Sequence, residues 1–202
     1  MTCEEVFKKG FYDYWAVSHT ILPFALTTLG FIDKFLVIVL VYLWESFELI
    51  IRDCTRDDTA WSQPESRMNS QVVDPACGVL GVLVAMSLAY TWGVDPSERA
   101  TKNILTQLLF IATVLSPSFL FFDWFYNRHI HHLFPVVMVG ALAISRTGTP
   151  LSWYDVSLWG YVVVIHLSVT LADHTNSFII VLGISLGVAL GGPLCRQILR
   201  ND

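Results

Sequence analysis

The stretch ACGVLGVLVAMSLAYTWGV, residues Ala76–Val94, decides the fold class of this chain. It runs for 19 residues without a charged side chain. A helix of about 20 residues, rising 1.5 Å per residue, crosses the roughly 30 Å hydrocarbon core of a bilayer. We therefore predict that this stretch is a transmembrane helix.

Six further apolar stretches extend the prediction to the whole chain, although some of them carry ionisable groups. With the first, the predicted spans are Trp15–Ile32, Phe35–Ile51, Ala76–Val94, Ile104–Phe122, Leu133–Ile144, Val156–Ala172 and Thr175–Leu194. Leu133–Ile144 has only 12 residues and could instead be re-entrant, so six spans is the alternative. The sequence thus predicts an all-α, polytopic transmembrane helix bundle of about seven spans.

The composition points the same way. Hydrophobic residues make up 54% of the chain, charged residues 14%, and the mean hydropathy is +0.56. Soluble domains carry about 25% charged residues, so this chain lacks their polar surface. The 12 lysines and arginines are scattered, which excludes a nucleic-acid surface. We predict a multi-pass integral membrane protein with membrane lipid as its surroundings, in a membrane that the sequence does not identify.

Residues 1–202 are predicted to form a single integral membrane domain. Residues 15–51 form an N-terminal helix hairpin, 52–74 a charged loop, and 75–202 a remainder of five helices. With seven spans, six lysines and arginines fall on each side, so the positive-inside rule gives no orientation.

The most informative polar residues lie in Leu43-Trp44-Glu45-Ser46-Phe47-Glu48. A carboxylate in hydrocarbon costs several kcal/mol unless it is protonated, paired or facing water, so intramembrane acids suggest function. His19, in the preceding span, is a natural partner for Glu45, and Asp74 completes a hypothetical catalytic cluster of His19, Glu45, Glu48 and Asp74. The structural alternative is that Glu48 pairs with Arg52 while Glu45 stays neutral within the bundle.

A second candidate is a histidine cluster, in which His129, His131 and His132 are predicted as metal ligands. The string HIHHLFP is similar to one histidine box of membrane desaturases and hydroxylases, which need several boxes to hold two irons. Outside the cluster and the hairpin, only His166 and His174 remain, so we reject that class. The alternative, which we favour over a metal site, is a polar interfacial loop.

The last span carries a stripe of small residues, Gly183, Gly187 and Gly191, at i, i+4 and i+8. Such a stripe lets a neighbouring backbone approach closely. We predict packing within the chain, or alternatively a contact with another membrane subunit through this face.

Three segments, SHTILPFALTTLG (18–30), WESFELIIRD (44–53) and MNSQVVDPACGVLGVLVAM (68–86), together resemble the core of VanZ-like membrane proteins, including the YjdF-like group. The resemblance covers about residues 15–93 and leaves residues 100–202 without a counterpart. It implies a four-helix membrane core associated with envelope or glycopeptide-resistance phenotypes, whose biochemical activity is poorly defined.

These residues suggest three alternative hypotheses about function. The preferred one is a non-catalytic subunit or accessory component of a larger membrane complex, packing by the glycine-bearing helix. The second is a membrane-embedded enzyme on a lipid-like substrate, using His19, Glu45 and Glu48 as acid/base groups or metal ligands. The third is a proton-coupled transporter in which the same residues and His166 titrate. No cofactor is predicted.

Overall fold

The computed structural model describes residues 14–30, 32–54, 69–97, 152–171 and 174–201. Five α-helices lie in these ranges: α1 (Tyr14–Leu29), α2 (Lys34–Cys54), α3 (Asp74–Trp92), α4 (Trp153–Leu171) and α5 (His174–Asn201). A π-helical turn, Asn69–Val73, leads directly into α3. The described ranges contain helices and turns and no strand, which confirms the all-α class.

Two helical stretches in these ranges, Gln71–Trp92 and Ile179–Ile198, are long and apolar enough to cross a membrane by length and composition. The prediction of about seven spans therefore stays a prediction. Helix α2, with 21 residues, is long enough to cross a membrane but carries more charge. Any 18 consecutive residues of it include at least three charged side chains: Glu45, Glu48 and either Lys34 or Arg52. The predicted spans 104–122 and 133–144 lie outside the described residues.

Several helix ends differ from the apolar boundaries predicted above. Helix α2 continues to Cys54, and helical structure resumes at Asn69, so both ends of the predicted charged loop are helical. Helix α5 continues through Pro193 to Asn201, well beyond Leu194. Apolar length measures the part of a helix suited to hydrocarbon, whereas hydrogen bonding and good helix formers such as arginine, glutamine and leucine extend a helix into polar surroundings.

Helix α3 is the central element, with α1 and α5 as its most extensive neighbours and α2 and α4 also in contact. It ends at Gly93, whose φ of 64° is left-handed, and the amide of Val94 donates to the carbonyl of Ala89 at 2.9 Å. This arrangement satisfies carbonyls of the last turn. The core around α3 is apolar, and its fully or nearly fully buried members include Phe24, Ala25, Val84, Ala85, Leu158 and Ile165.

The outward faces of α2 and α5 are also apolar. Exposed large side chains on α2 include Phe35, Leu36, Val39, Leu40, Leu43, Phe47 and Ile50, and those on α5 include Ile179, Leu186, Leu190, Leu194 and Ile198. Leu190 is 74% exposed. Contiguous apolar surface of this kind is unusual on a monomeric soluble protein and marks a membrane or protein contact.

Two hydrogen bonds join helices α3, α4 and α5, one from a side chain to the backbone and one between two side chains. Ser87 Oγ on α3 donates to the carbonyl of Val188 on α5 at 2.8 Å. The hydroxyls of Tyr161 on α4 and Ser185 on α5 lie 2.8 Å apart. These bonds are stronger in an apolar interior than in water, so they hold the three helices in one rotational setting.

The glycine stripe does not perform the predicted packing role within the described part of the chain. A Cβ at Gly183, Gly187 or Gly191 would meet nothing within 4 Å there. The glycine of α5 in close contact is Gly192, where a Cβ would overlap the side chain of Ser87. The side of α5 that meets α3 is thus the side with Gly192 and with Val188, whose carbonyl accepts the hydrogen bond from Ser87, and not the side with the stripe.

Candidate functional site

The candidate site begins with a contact between α1 and α2. Nδ1 of His19 lies 2.9 Å from Oε1 of Glu45. Glu45 is only 3% exposed, whereas His19 is partly exposed. Glu48 lies one turn further along α2, and one potential ligand atom from each of His19, Glu45 and Glu48 lies within 4.8 Å of the other two.

The position of Glu45 follows from helical spacing on α2. Val37, Val41 and Glu45 stand at i, i+4 and i+8, and all three are buried. Residues four apart lie on the same face of a helix. Glu45 therefore occupies the third position of an inward-facing apolar row, where a carboxylate is costly unless it is paired, protonated or bound to an ion.

Two glycines of α3 bring the site together. A Cβ at Gly81 would overlap the carbonyl oxygen of Thr20, and a Cβ at Gly78 would lie 2.6 Å from Cγ1 of Val41. Gly81 thus lets α1 approach beside His19, and Gly78 lets α2 approach one turn before Glu45. Close helix approach through small residues is the usual way in which membrane helices pack.

Asp74, the first residue of α3, lies at the edge of this cluster and is 1% exposed. It is close enough to His19 to interact with it electrostatically. The side chains of Thr20 and Cys77 form a hydrogen bond nearby, and Asp74 also faces Cys77. All four predicted cluster residues therefore lie in one region, with Asp74 in a supporting position relative to the other three.

The Glu45 carboxylate has unused hydrogen-bonding capacity. Its Oε2 is buried and has no hydrogen-bond partner among the described residues. Buried polar atoms are satisfied in most native structures, and an exception calls for a proton, a water or an ion. Chemically, the cluster offers one imidazole and two carboxylates, which can exchange protons or bind a cation.

The cluster lies in one half of the helix bundle. Asp74 is at the N-terminus of α3, whereas Trp92 is at its C-terminus, about 27 Å away along the axis. At that far end Trp92 stacks on Trp153, with ring centroids 6.4 Å apart, and its Nε1 donates to Ser157. The described core between the two ends is largely apolar, with the hydroxyl groups of Tyr161, Ser87 and Ser185 buried in it.

Other predicted candidates have different outcomes. The proposed metal ligands His129, His131 and His132, and also Asp173, lie outside the described residues. His166 lies in α4 and His174 begins α5. None of these histidines can be assigned to the site, and the histidine-cluster prediction stays a prediction.

One buried acid was missed by the sequence reasoning. Asp155 is 2% exposed, and its Oδ2 accepts hydrogen bonds from the amide and the hydroxyl of Ser152 at 3.0 and 2.6 Å. The amide of Asp155 donates back to Ser152 Oγ at 3.3 Å. This is a capping box, and the spacing Ser-x-x-Asp before an apolar run could have revealed it. Asp155 therefore has a structural role at the start of α4.

No known protein family, curated protein or solved structure matches this chain. The VanZ-like resemblance over residues 15–93 accordingly stays a prediction.

Proposed function

We propose that this protein is an integral membrane enzyme that acts on a lipid-like substrate, with His19, Glu45 and Glu48 as its acid/base groups. The observation that carries the proposal is the 2.9 Å contact between Nδ1 of the partly exposed His19 and Oε1 of the buried Glu45, with Glu48 beside it. A positioned imidazole and carboxylate in a low-dielectric site are suited to moving a proton to or from a reacting group. Asp74 serves as a positioning residue.

The distribution of buried charge supports an enzyme over a transporter. Among the residues whose burial is described, the buried acids and bases are Glu45, Asp74 and Asp155. Asp155 belongs to a capping box at the far end, and the side chains described as buried between it and the cluster carry no charge. A proton relay needs a chain of titratable groups across the membrane. A cluster confined to one end suits a substrate that arrives from one side.

The surface next to the cluster supports the substrate class. Glu48 is half-buried, and the exposed side chains beside it on α2 include Trp44 and Phe47. A lipid-like molecule could lay its chain on this apolar face while its polar part reaches Glu48 and His19. A purely structural polar cluster would be expected to satisfy both oxygens of Glu45, and Oε2 has no partner in the described part of the chain.

The test compares the lipids of membranes containing the wild-type chain with those containing Glu45→Gln. Mass spectrometry is expected to find one lipid class changed by the wild type and restored to the empty-membrane level by Glu45→Gln. Ser46→Ala is the matched control, since Ser46 lies between the two acids on the exposed side of α2 and its hydroxyl donates to the carbonyl of Tyr42 on the same helix. If wild type and Glu45→Gln give the same lipid profile at equal folded amounts, the enzyme proposal is wrong.

A second candidate is the accessory subunit, because the face of α5 bearing Gly183, Gly187 and Gly191 is open in the described part of the chain. Exposed Leu186 and Leu190 flank these glycines. A partner helix could approach there as small residues allow. We expect Gly187→Ile to release a co-purifying membrane subunit, and an unchanged complex would contradict this candidate.

A further inference from the structure

We propose that His19, Glu45 and Glu48 bind one divalent transition-metal ion, with zinc as the probe ion. The inference rests on the proposed function and deepens it: the same three side chains would hold the ion, and its open position would supply the acid/base chemistry that the proposed function assigns to the cluster. Imidazole nitrogen with carboxylate oxygens is a donor set that zinc, manganese and iron(II) accept. Three protein ligands leave a fourth position open, as in catalytic rather than structural zinc sites.

The geometry is close to that of a metal site. In a tetrahedral zinc site with bonds of about 2.1 Å, ligand atoms lie about 3.4 Å apart. Here the candidate ligand atoms all lie within 4.8 Å of one another, and His19 Nδ1 and Glu45 Oε1 are 2.9 Å apart. Rotation of the half-buried Glu48 side chain can close the remaining difference of about 1.4 Å.

The charges of the cluster also suit a divalent cation. Glu45 and Glu48 on adjacent turns of one helix bring two carboxylates to the cluster, and an imidazole binds a metal ion in its neutral form. Two ionised carboxylates close together repel each other, and the buried one, Glu45, also loses hydration. A divalent cation cancels both charges, and the buried Oε2 of Glu45, which has no hydrogen-bond partner among the described residues, provides a free lone pair for it.

Asp74 fits as the outer support of such a site. Metal-binding histidines commonly use their second ring nitrogen to contact a carboxylate, which fixes the ring orientation. Asp74 is buried and interacts electrostatically with His19. We therefore expect Asp74→Asn to weaken zinc binding about 10–100-fold while leaving one binding site per chain.

The experiment is a zinc titration of the full-length chain in lipid nanodiscs after treatment with a chelator, with bound zinc counted per chain. His129, His131 and His132 could bind zinc by themselves, so all three are replaced by alanine in the parent protein. We expect this parent to bind one zinc ion, and we expect Glu45→Gln, Glu48→Gln and His19→Ala each to weaken binding at least about tenfold. Asp95→Asn, an exposed carboxylate outside the cluster, is the matched control and should bind as the parent does.

If Glu45→Gln and His19→Ala fail to fold, Glu48→Gln still tests the proposal, because it leaves the contact between His19 and Glu45 in place. A parent that binds no zinc, or a folded Glu48→Gln that binds as tightly as the parent, would overturn the metal proposal. The lipid comparison separates the two proposals. Lipid conversion that depends on Glu45 without zinc binding refutes the metal site alone, and zinc binding without lipid conversion refutes the enzyme alone.

Discussion

Nδ1 of His19 and Oε1 of Glu45 lie 2.9 Å apart and connect α1 to α2 inside the described bundle. Four residues, 30–33, separate the two helices in the chain, yet the contact lies well along each helix. It forms because α3 holds both helices close, through Gly81 against α1 and Gly78 against α2. The site therefore depends on packing by a third helix as well as on the two residues in contact.

The coupling between His19 and Glu45 can be measured by a double-mutant cycle with His19→Ala and Glu45→Ala on chelator-treated protein. Each single substitution leaves the other polar group buried without this contact, so the double variant should be more stable than the two single losses imply. We expect a coupling free energy of about 1–3 kcal/mol from unfolding in detergent. A coupling below about 0.5 kcal/mol would show that the contact contributes little to stability.

Gly81→Ala should destabilise the fold, since its Cβ would overlap the carbonyl oxygen of Thr20, a backbone atom that cannot rotate away. We expect the free energy of unfolding to fall by about 1–3 kcal/mol. Gly183→Ala is the matched control, because its Cβ meets nothing within 4 Å in the described structure. It should be neutral or stabilising by up to about 1 kcal/mol. Equal thermal unfolding of the two variants would contradict this packing.

Tyr161→Phe removes the hydroxyl that lies 2.8 Å from Ser185 Oγ between α4 and α5. Both residues are buried, so Ser185 loses a partner in an apolar interior. We expect a loss of about 1 kcal/mol in the free energy of unfolding. Tyr42→Phe serves as the control, because Tyr42 is 51% exposed on α2. The prediction fails if both substitutions have the same small effect on the thermal midpoint.

Ser152→Ala removes one half of the capping box at the start of α4, where Ser152 and Asp155 exchange hydrogen bonds. We expect a loss of about 1 kcal/mol, the usual contribution of a serine cap. The comparison variant is Ser168→Ala, whose hydroxyl donates to the carbonyl of Val164 within the same helix. Hydrogen exchange should be faster at the first turn of α4 only in Ser152→Ala. Unchanged exchange there would refute the capping role.

Asp95 is a suitable control residue for the zinc titration because of its exposed position and its own hydrogen bonds. It is fully exposed in the turn after α3, and hydrogen bonds donated by the hydroxyl and the amide of Ser97 hold the pKa of Asp95 below its ordinary value. It is thus a carboxylate that stays ionised at neutral pH without contact with the cluster. Asp95→Asn replaces a carboxylate by an amide, as Glu45→Gln does, but at a solvent-exposed position instead of in the core.

The helical class and the approximate places of α1 to α5 could be predicted from the sequence, because apolar length and helix formation are local properties of a stretch of chain. The pairing of His19 with Glu45 could also be anticipated, since two polar groups in neighbouring apolar helices lower their free energy by meeting. Helix ends were less predictable. Hydrogen bonding carries α2 to Cys54 and α5 to Asn201, beyond the apolar stretches that suggested them.

Which glycines make close contacts was decided by the tertiary structure alone. The regular spacing of Gly183, Gly187 and Gly191 suggested a packing face, yet the glycines in close contact within the described helices are Gly78, Gly81 and Gly192. Spacing shows which residues share a face, but the face that meets a neighbour depends on the rotation of the whole helix. That rotation minimises the free energy summed over every contact of the bundle, including the hydrogen bond from Ser87 to Val188, and no single stretch of sequence contains it.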